Sequence, residues 1–216
     1  MHWSFGAACV AALLVPLSGA QQVPSTSYRD YETGFTFASF DAAYKIGRNF
    51  QIRVAVPTSA TAGSDYDVVV QIVAPNELGW VGLCWGGTML MNPLSVGWAS
   101  GNTAVMASRW ASSRDNPSVY TGATLQPMRI GTKVNGSHWQ VTAKCTGCTT
   151  WISNNRANAI DPVGTSVRLA SAAGPGRPNG VSPSAALPTH TVHPYLIGNF
   201  NHAQNPSFED LVARNS

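Results

Sequence analysis

With 216 residues, 44% of them apolar and only 11% charged, the chain is long enough to bury one sizeable core. Its 13 Lys plus Arg against 10 Asp plus Glu leave a net charge of +3 that is scattered along the sequence, which excludes a nucleic-acid footprint. Twenty glycines and 14 prolines supply the turns of a strand-rich fold.

Residues 1–20 contain no Asp, Glu, Lys or Arg, carry an apolar run over 5–17, and close with Ser18-Gly19-Ala20. This reads as a signal peptide, although its first residues lack the usual Lys or Arg. The run is shorter than the ~20 residues that a bilayer span requires, and no second apolar span follows. The expectation is a soluble, secreted, monomeric chain over 21–216 with no membrane partner. Alternation of period two then predicts strands over 34–37, 50–56 and 66–73, each closed by Pro- or Gly-rich punctuation.

Residues 79–91 continue the pattern, with Trp80, Gly82 and Cys84 on one face and Val81, Leu83 and Trp85 on the other. The strand runs into Gly86-Gly87, where a missing Cβ lets something flat approach the backbone, and Met89 follows. An isolated methionine beside a strand is ordinarily gap-filling core, yet a thioether so placed can also serve a metal. Further strands are expected over 94–99, 104–110, 138–145 and 166–172, with a surface loop over 173–188 and about one helical turn near 208–213. Many short strands at close spacing predict an all-β fold, an antiparallel immunoglobulin-like β-sandwich.

Asn135-Gly136-Ser137 is an N-glycosylation sequon placed at a turn, whereas Asn205-Pro206-Ser207 is disqualified by its proline. Cys9 leaves with the signal peptide, so Cys84, Cys145 and Cys148 remain. In an oxidising compartment Cys145 and Cys148 pair locally, and closing so short a loop contributes only roughly 2 kcal/mol. A zinc half-site lacks a second ligand pair, and a thioredoxin-like motif lacks the following helix. Cys84 is left as a buried free thiol. No Cys-x-x-Cys-His is present, which excludes the usual covalent attachment of haem.

Five segments carry a resemblance. They are Trp-Gly-Gly-Thr-Met over 85–89, Val-Gly-Trp-Ala-Ser-Gly-Asn over 96–102, Ser-Arg-Trp-Ala over 108–111, the Cys-x-x-Cys strand of 135–151, and Pro-Thr-His-Thr-Val-His-Pro-Tyr-Leu-Ile-Gly-Asn-Phe over 188–200. In this order they closely resemble the haem b cytochrome domain of fungal cellobiose dehydrogenases, from about Tyr31 to Ala203. The resemblance implies a non-covalent haem b whose axial ligands are Met89 and His190, and it too points to a Cys145–Cys148 disulfide. His193 is the reserve for His190, and Met91 for Met89. His138 and His202 are read as exposed or structural. If 188–194 is a strand, His190 and His193, three apart, point to opposite faces.

A thioether opposite an imidazole favours ferrous iron and closes both axial positions to oxygen and peroxide. The propionates of such a haem need cations at the rim, for which Arg109 and Arg114 are available, while Trp85 and Trp110 are candidates for the pocket wall or, equally, for core packing. The family has a tyrosine at about the position of Arg114, so the arginine is a departure. No Ser/Thr/Pro-rich linker and no Gly-x-Gly-x-x-Gly is present, so the expectation is a cytochrome without the flavin dehydrogenase domain normally joined to it. The implied function is single-electron transfer from a flavin dehydrogenase or small reductant to a copper polysaccharide monooxygenase or chelated ferric iron. Two other readings share the residues: a ferric reductase, and a sandwich that binds a sugar or another small ligand without redox cycling.

Overall fold

A computed structural model describes residues 22–216, so the expected signal peptide lies outside the described residues. The strands in chain order are β1 (Gln22–Arg29), β2 (Thr36–Lys45), β3 (Arg48–Pro57), β4 (Val68–Pro75), β5 (Trp80–Cys84), β6 (Pro93–Ser100), β7 (Thr103–Trp110) and β8 (Ser118–Val119). They continue with β9 (Thr124–Pro127), β10 (Lys133–Val134), β11 (His138–Thr146), β12 (Thr150–Ser153), β13 (Arg156–Ala159), β14 (Val167–Gly174), β15 (Tyr195–Gly198) and β16 (Gln204–Asn205). One α-helix, α1 (Phe208–Asn215), closes the chain.

Two layers share β1. Its second half, Ser25 to Arg29, pairs antiparallel with β2 and opens the sheet β1-β2-β3-β4-β11-β10. Its first half pairs parallel with β15, setting Val23 beside Leu196, and opens the sheet β1-β15-β14-β5-β6-β7-β8. The expected sandwich is therefore present, antiparallel apart from this seam and the short pairing of β16 with β3. The inner faces bring Val54, Ile72 and Val141 of one sheet against Leu83, Trp85 and Leu169 of the other. Gly97 lets the two faces approach closely: a Cβ there would stand 3.0 Å from Val141 and 3.2 Å from Ile72. The buried indoles keep their polar handles satisfied, Trp139 donating to Leu78 O at 2.9 Å and Trp85 to Ser95 Oγ at 3.0 Å.

The outer faces of both sheets are also apolar, and they are covered differently. On the first sheet Phe35, Phe37, Ala55 and Val69 lie under α1, whose Phe208, Leu211 and Val212 recur at helical spacing and are buried there. Glu209 and Asp210 in its first turn and Arg214 in its last suit the helix dipole. On the second sheet Trp80, Cys84, Leu94, Val96, Trp98 and Ala170 form a separate apolar cluster that no helix among the described residues covers.

Several elements depart from the expected ones. The strand expected to run into Gly86-Gly87 ends slightly earlier, at Cys84, where Trp85 N bonds Pro93 O at 3.1 Å and Gly87 N bonds Cys84 O at 3.3 Å. α1 runs a full eight residues where a single turn was expected. Cys145 and Cys148 are joined in a disulfide across the turn after β11, and Cys84 is a free, buried thiol. Gly147 makes that turn possible, with φ +78° and a Cβ position 2.3 Å from Gly122 O.

Candidate functional site

The uncovered apolar face is the floor of a cleft of about 790 Å³. This lies within the ~300–1,000 Å³ typical of small-molecule and cofactor sites. Register sets its chemistry: Gly82 stands between Val96 and Ala172, and Cys84 between Leu94 and Ala170. A Cβ at Gly82 would make only ordinary contacts, 3.4 Å to Trp80 and 3.5 Å to Val96, so packing does not demand the glycine. Its absent methyl keeps the middle of the floor flat. Burial pushes the Cys84 thiol up to about 12, so it stays protonated near neutrality and adds a small apolar group.

One wall is the turn after β5. Asn92, 1% exposed, organises it by accepting from Gly86 N at 2.8 Å and donating to Thr88 O and Leu90 O, both at 2.9 Å. The turn sets Met89, half-buried, against the floor cluster and in the lining of the cleft. Met91, the reserve ligand, sits at φ +60° with its amide on Ala111 O at 2.9 Å and does not line the cleft.

The opposite end of β14 leads into the second arm. Thr191 N bonds Ala173 O at 2.9 Å, Ala173 N bonds Val192 O at 3.0 Å, and Trp80 Nε1 donates to Pro188 O at 3.0 Å. Gly174 admits this arm, since a Cβ there would stand 2.8 Å from Thr189 O and 3.1 Å from the His190 Cα. The His190 ring lies edge-on to Trp80, centroids 6.4 Å apart, and its shielded Nδ1 has no hydrogen-bond partner. Burial first, and the neighbouring His193 second, hold its pKa below the ordinary histidine value, which favours the neutral, ligating imidazole. The expectation that His190 and His193 point to opposite faces is corrected. Their segment is a loop with a single bridge at Val192, so both rings line the cleft, edge to face at 5.5 Å.

Comparison with known proteins bears on what fills such a cleft. The family described as "Cytochrome domain of cellobiose dehydrogenase" matches residues 28–210. The chain belongs to this family. A curated relative, the pyrroloquinoline quinone-dependent pyranose dehydrogenase of Coprinopsis cinerea, is 30% identical over 167 residues, which are 77% of this chain. The chain spans about a fifth of that relative, 21% of its length. Among solved structures, the cytochrome b domain of pyranose dehydrogenase from Coprinopsis cinerea matches with a TM-score of 0.76 at 24% identity, over 88% of this chain and 95% of that one. The cytochrome domain of Myriococcum thermophilum cellobiose dehydrogenase matches with a TM-score of 0.77 at 21% identity, over 89% and 96%. Both have the same fold.

This cytochrome domain distributes the remaining expected site residues unevenly. Arg114 lies exposed at the cleft mouth. Arg109 does not reach the rim: it is 1% exposed on β7 beside Leu94, and its guanidinium donates to Pro117 O at 2.8 Å and Ala185 O at 2.5 Å. Trp85 is not a cleft wall either, because β5 alternation turns it into the inter-sheet core. Trp110, also expected there, instead stacks on Tyr120 with centroids 4.9 Å apart. The sequence reading passed over Trp80 and Tyr195, which line the cleft, and Asn92, which shapes the Met89 turn. Trp80 was visible on the same strand face as Gly82 and Cys84; Asn92 gave no signal beyond being an asparagine in a turn.

Proposed function

We propose that this chain is a secreted haem b cytochrome that relays single electrons between an extracellular donor and an acceptor. The observation that carries the reading is that Met89 and His190 both line one cleft with an apolar floor. Among the described residues, no group of three or more His, Cys, Asp or Glu side chains could hold a bare metal ion. One thioether and one imidazole are two donors, which is what an iron porphyrin asks of the protein once its macrocycle has supplied four. The Gly82 floor leaves room for a planar group, and His190 carries an unsatisfied ring nitrogen. The residues fit.

Bound haem b supplies one-electron cycling between ferric and ferrous iron. Met89 and His190 hold it from the protein side, the soft thioether favouring the reduced state and both together excluding oxygen and peroxide. With no Cys-x-x-Cys-His in the sequence, retention is non-covalent and rests on these ligands and the apolar floor. Arg114 at the mouth is placed to pair with a propionate. Cys84, Leu94, Val96, Ala170 and Ala172 give the floor an apolar face suited to a macrocycle.

The donor is a flavin dehydrogenase or a small reductant, or a quinone-dependent sugar dehydrogenase of the kind named among the relatives. The acceptor is a copper polysaccharide monooxygenase or chelated ferric iron. Secretion accords with the Cys145–Cys148 disulfide and with an exposed sequon at Asn135, which we take to be glycosylated. The test is stopped-flow mixing of the reduced, haem-loaded protein with each acceptor under anaerobic conditions. Re-oxidation at a rate proportional to acceptor concentration supports the relay; a reduced haem that persists beside every acceptor contradicts it.

A further inference from the structure

Four side chains of the second sheet and its loops fasten the segment 175–188 by its backbone carbonyls. Trp98 Nε1 donates to Gly180 O at 2.9 Å, Arg109 to Ala185 O, Asn116 to Leu187 O at 3.1 Å, and Trp80 to Pro188 O. Three of these are neutral, and Arg109 is the exception. Its guanidinium is almost wholly removed from water, its Nε has no partner, and its two bonds go to uncharged carbonyls. None of the four ion pairs among the described residues includes it. Asp115, on the loop that Arg109 braces, accepts from Ser113 instead.

A desolvated cation without a counter-ion is costly, and removing one partner of a neutral brace would cost far less. Two carbonyls could be bridged by a neutral donor, so bracing alone does not account for a charge here. Arg109 also stands one strand from the floor: its register partner Leu94 lines the cleft and pairs with Cys84. Resting on the haem reading above, we propose that Arg109 is a potential-setting residue whose buried, uncompensated charge stabilises the added electron of the reduced cytochrome. A positive charge in low dielectric favours whichever redox state carries more negative charge, and that is the ferrous one.

The experiment loads the wild type and the variants Arg109→Lys, Arg109→Gln and Arg109→Met with haem and measures spectrum, haem content and reduction potential. Loss of the charge in the Gln and Met variants is expected to move the ferric-to-ferrous equilibrium about tenfold toward ferric, about 59 mV for a one-electron couple. Their reduced spectra should remain those of the wild type, and Arg109→Lys should keep a potential near wild type. If the Gln and Met variants lose haem while Lys keeps it at the wild-type potential, the requirement for charge still stands. Equal potentials in all four proteins overturn the proposal. So does a Lys variant that falls with Gln and Met, because geometry and not charge would then be at work. A wild type that takes up no haem refutes the haem reading itself, a separate result.

Discussion

Gly174→Ala tests whether the His190 arm is positioned by close packing against the end of β14. A methyl at this position would lie 2.8 Å from Thr189 O, about 0.6 Å closer than the 3.4 Å at which ordinary contact begins, and 3.1 Å from the His190 Cα. The sheet cannot yield, since Gly174 is held in register against Trp80 on β5. The arm can, because it is tied to β14 by a single bridge and a few bonds. Overpacking of this kind costs about 1–3 kcal/mol. If that cost falls on the ligand arm, haem affinity drops by roughly 5- to 150-fold while the fold survives. The assay is the rate of haem transfer to excess apo-globin, with the unfolding midpoint of the apo form measured alongside. Gly136→Ala is the control, because nothing lies within 4 Å of a Cβ there. A Gly174→Ala protein that releases haem at the wild-type rate would refute the claim that this contact places His190.

Three further outcomes follow from the same geometry. Met89→Ala should open one axial position, lower the reduction potential and permit carbon monoxide binding on reduction, whereas Met91→Ala, outside the cleft lining, should leave the spectrum unchanged. His190→Ala should abolish stable haem retention, while His193→Ala should keep a six-coordinate spectrum with at most a modest change in potential; haem content and reduced spectra of both variants decide. Alkylation after unfolding without reductant should label one cysteine of the secreted chain, and at pH 8 the folded protein should resist labelling. The folded thiol of Cys84 sits at about 12, above its ordinary 9.0. Its contribution to stability is thus complete below pH 9 and is lost as pH rises from 9 towards 12, which pH-dependent unfolding would read.

Most of the sandwich was legible in the sequence because its strands alternate over long runs, as 50–56 does within β3 and 66–73 does where it overlaps β4. β1 was not, since Pro24 and Ser25-Thr26-Ser27 show no apolar alternation. Its buried Val23 gains a partner only when Leu196 of β15, 173 residues on, comes beside it. The disulfide was readable from spacing, whereas Met89 beside its glycine step reads on local pattern as gap-filling core and was singled out by the resemblance. Arg109 was offered for the rim as an available cation, and Trp85 for the pocket wall or the core. Strand register sends Trp85 to the inner face, and the Arg109 guanidinium is taken up by two loop carbonyls. The opposite orientation of His190 and His193 held only for a strand, and the chain forms a bridged loop there instead. What no sequence pattern displayed was the contrast between the two outer faces, one sealed by α1 and the other left open as a floor.

An absorption spectrum of the purified protein from haem-sufficient expression decides whether Met89 and His190 together hold a haem b. Recorded before and after dithionite, it should show six-coordinate low-spin haem, with sharp α and β bands on reduction and a pigment that acidified organic solvent extracts. A colourless protein that takes up no added haem would contradict the account.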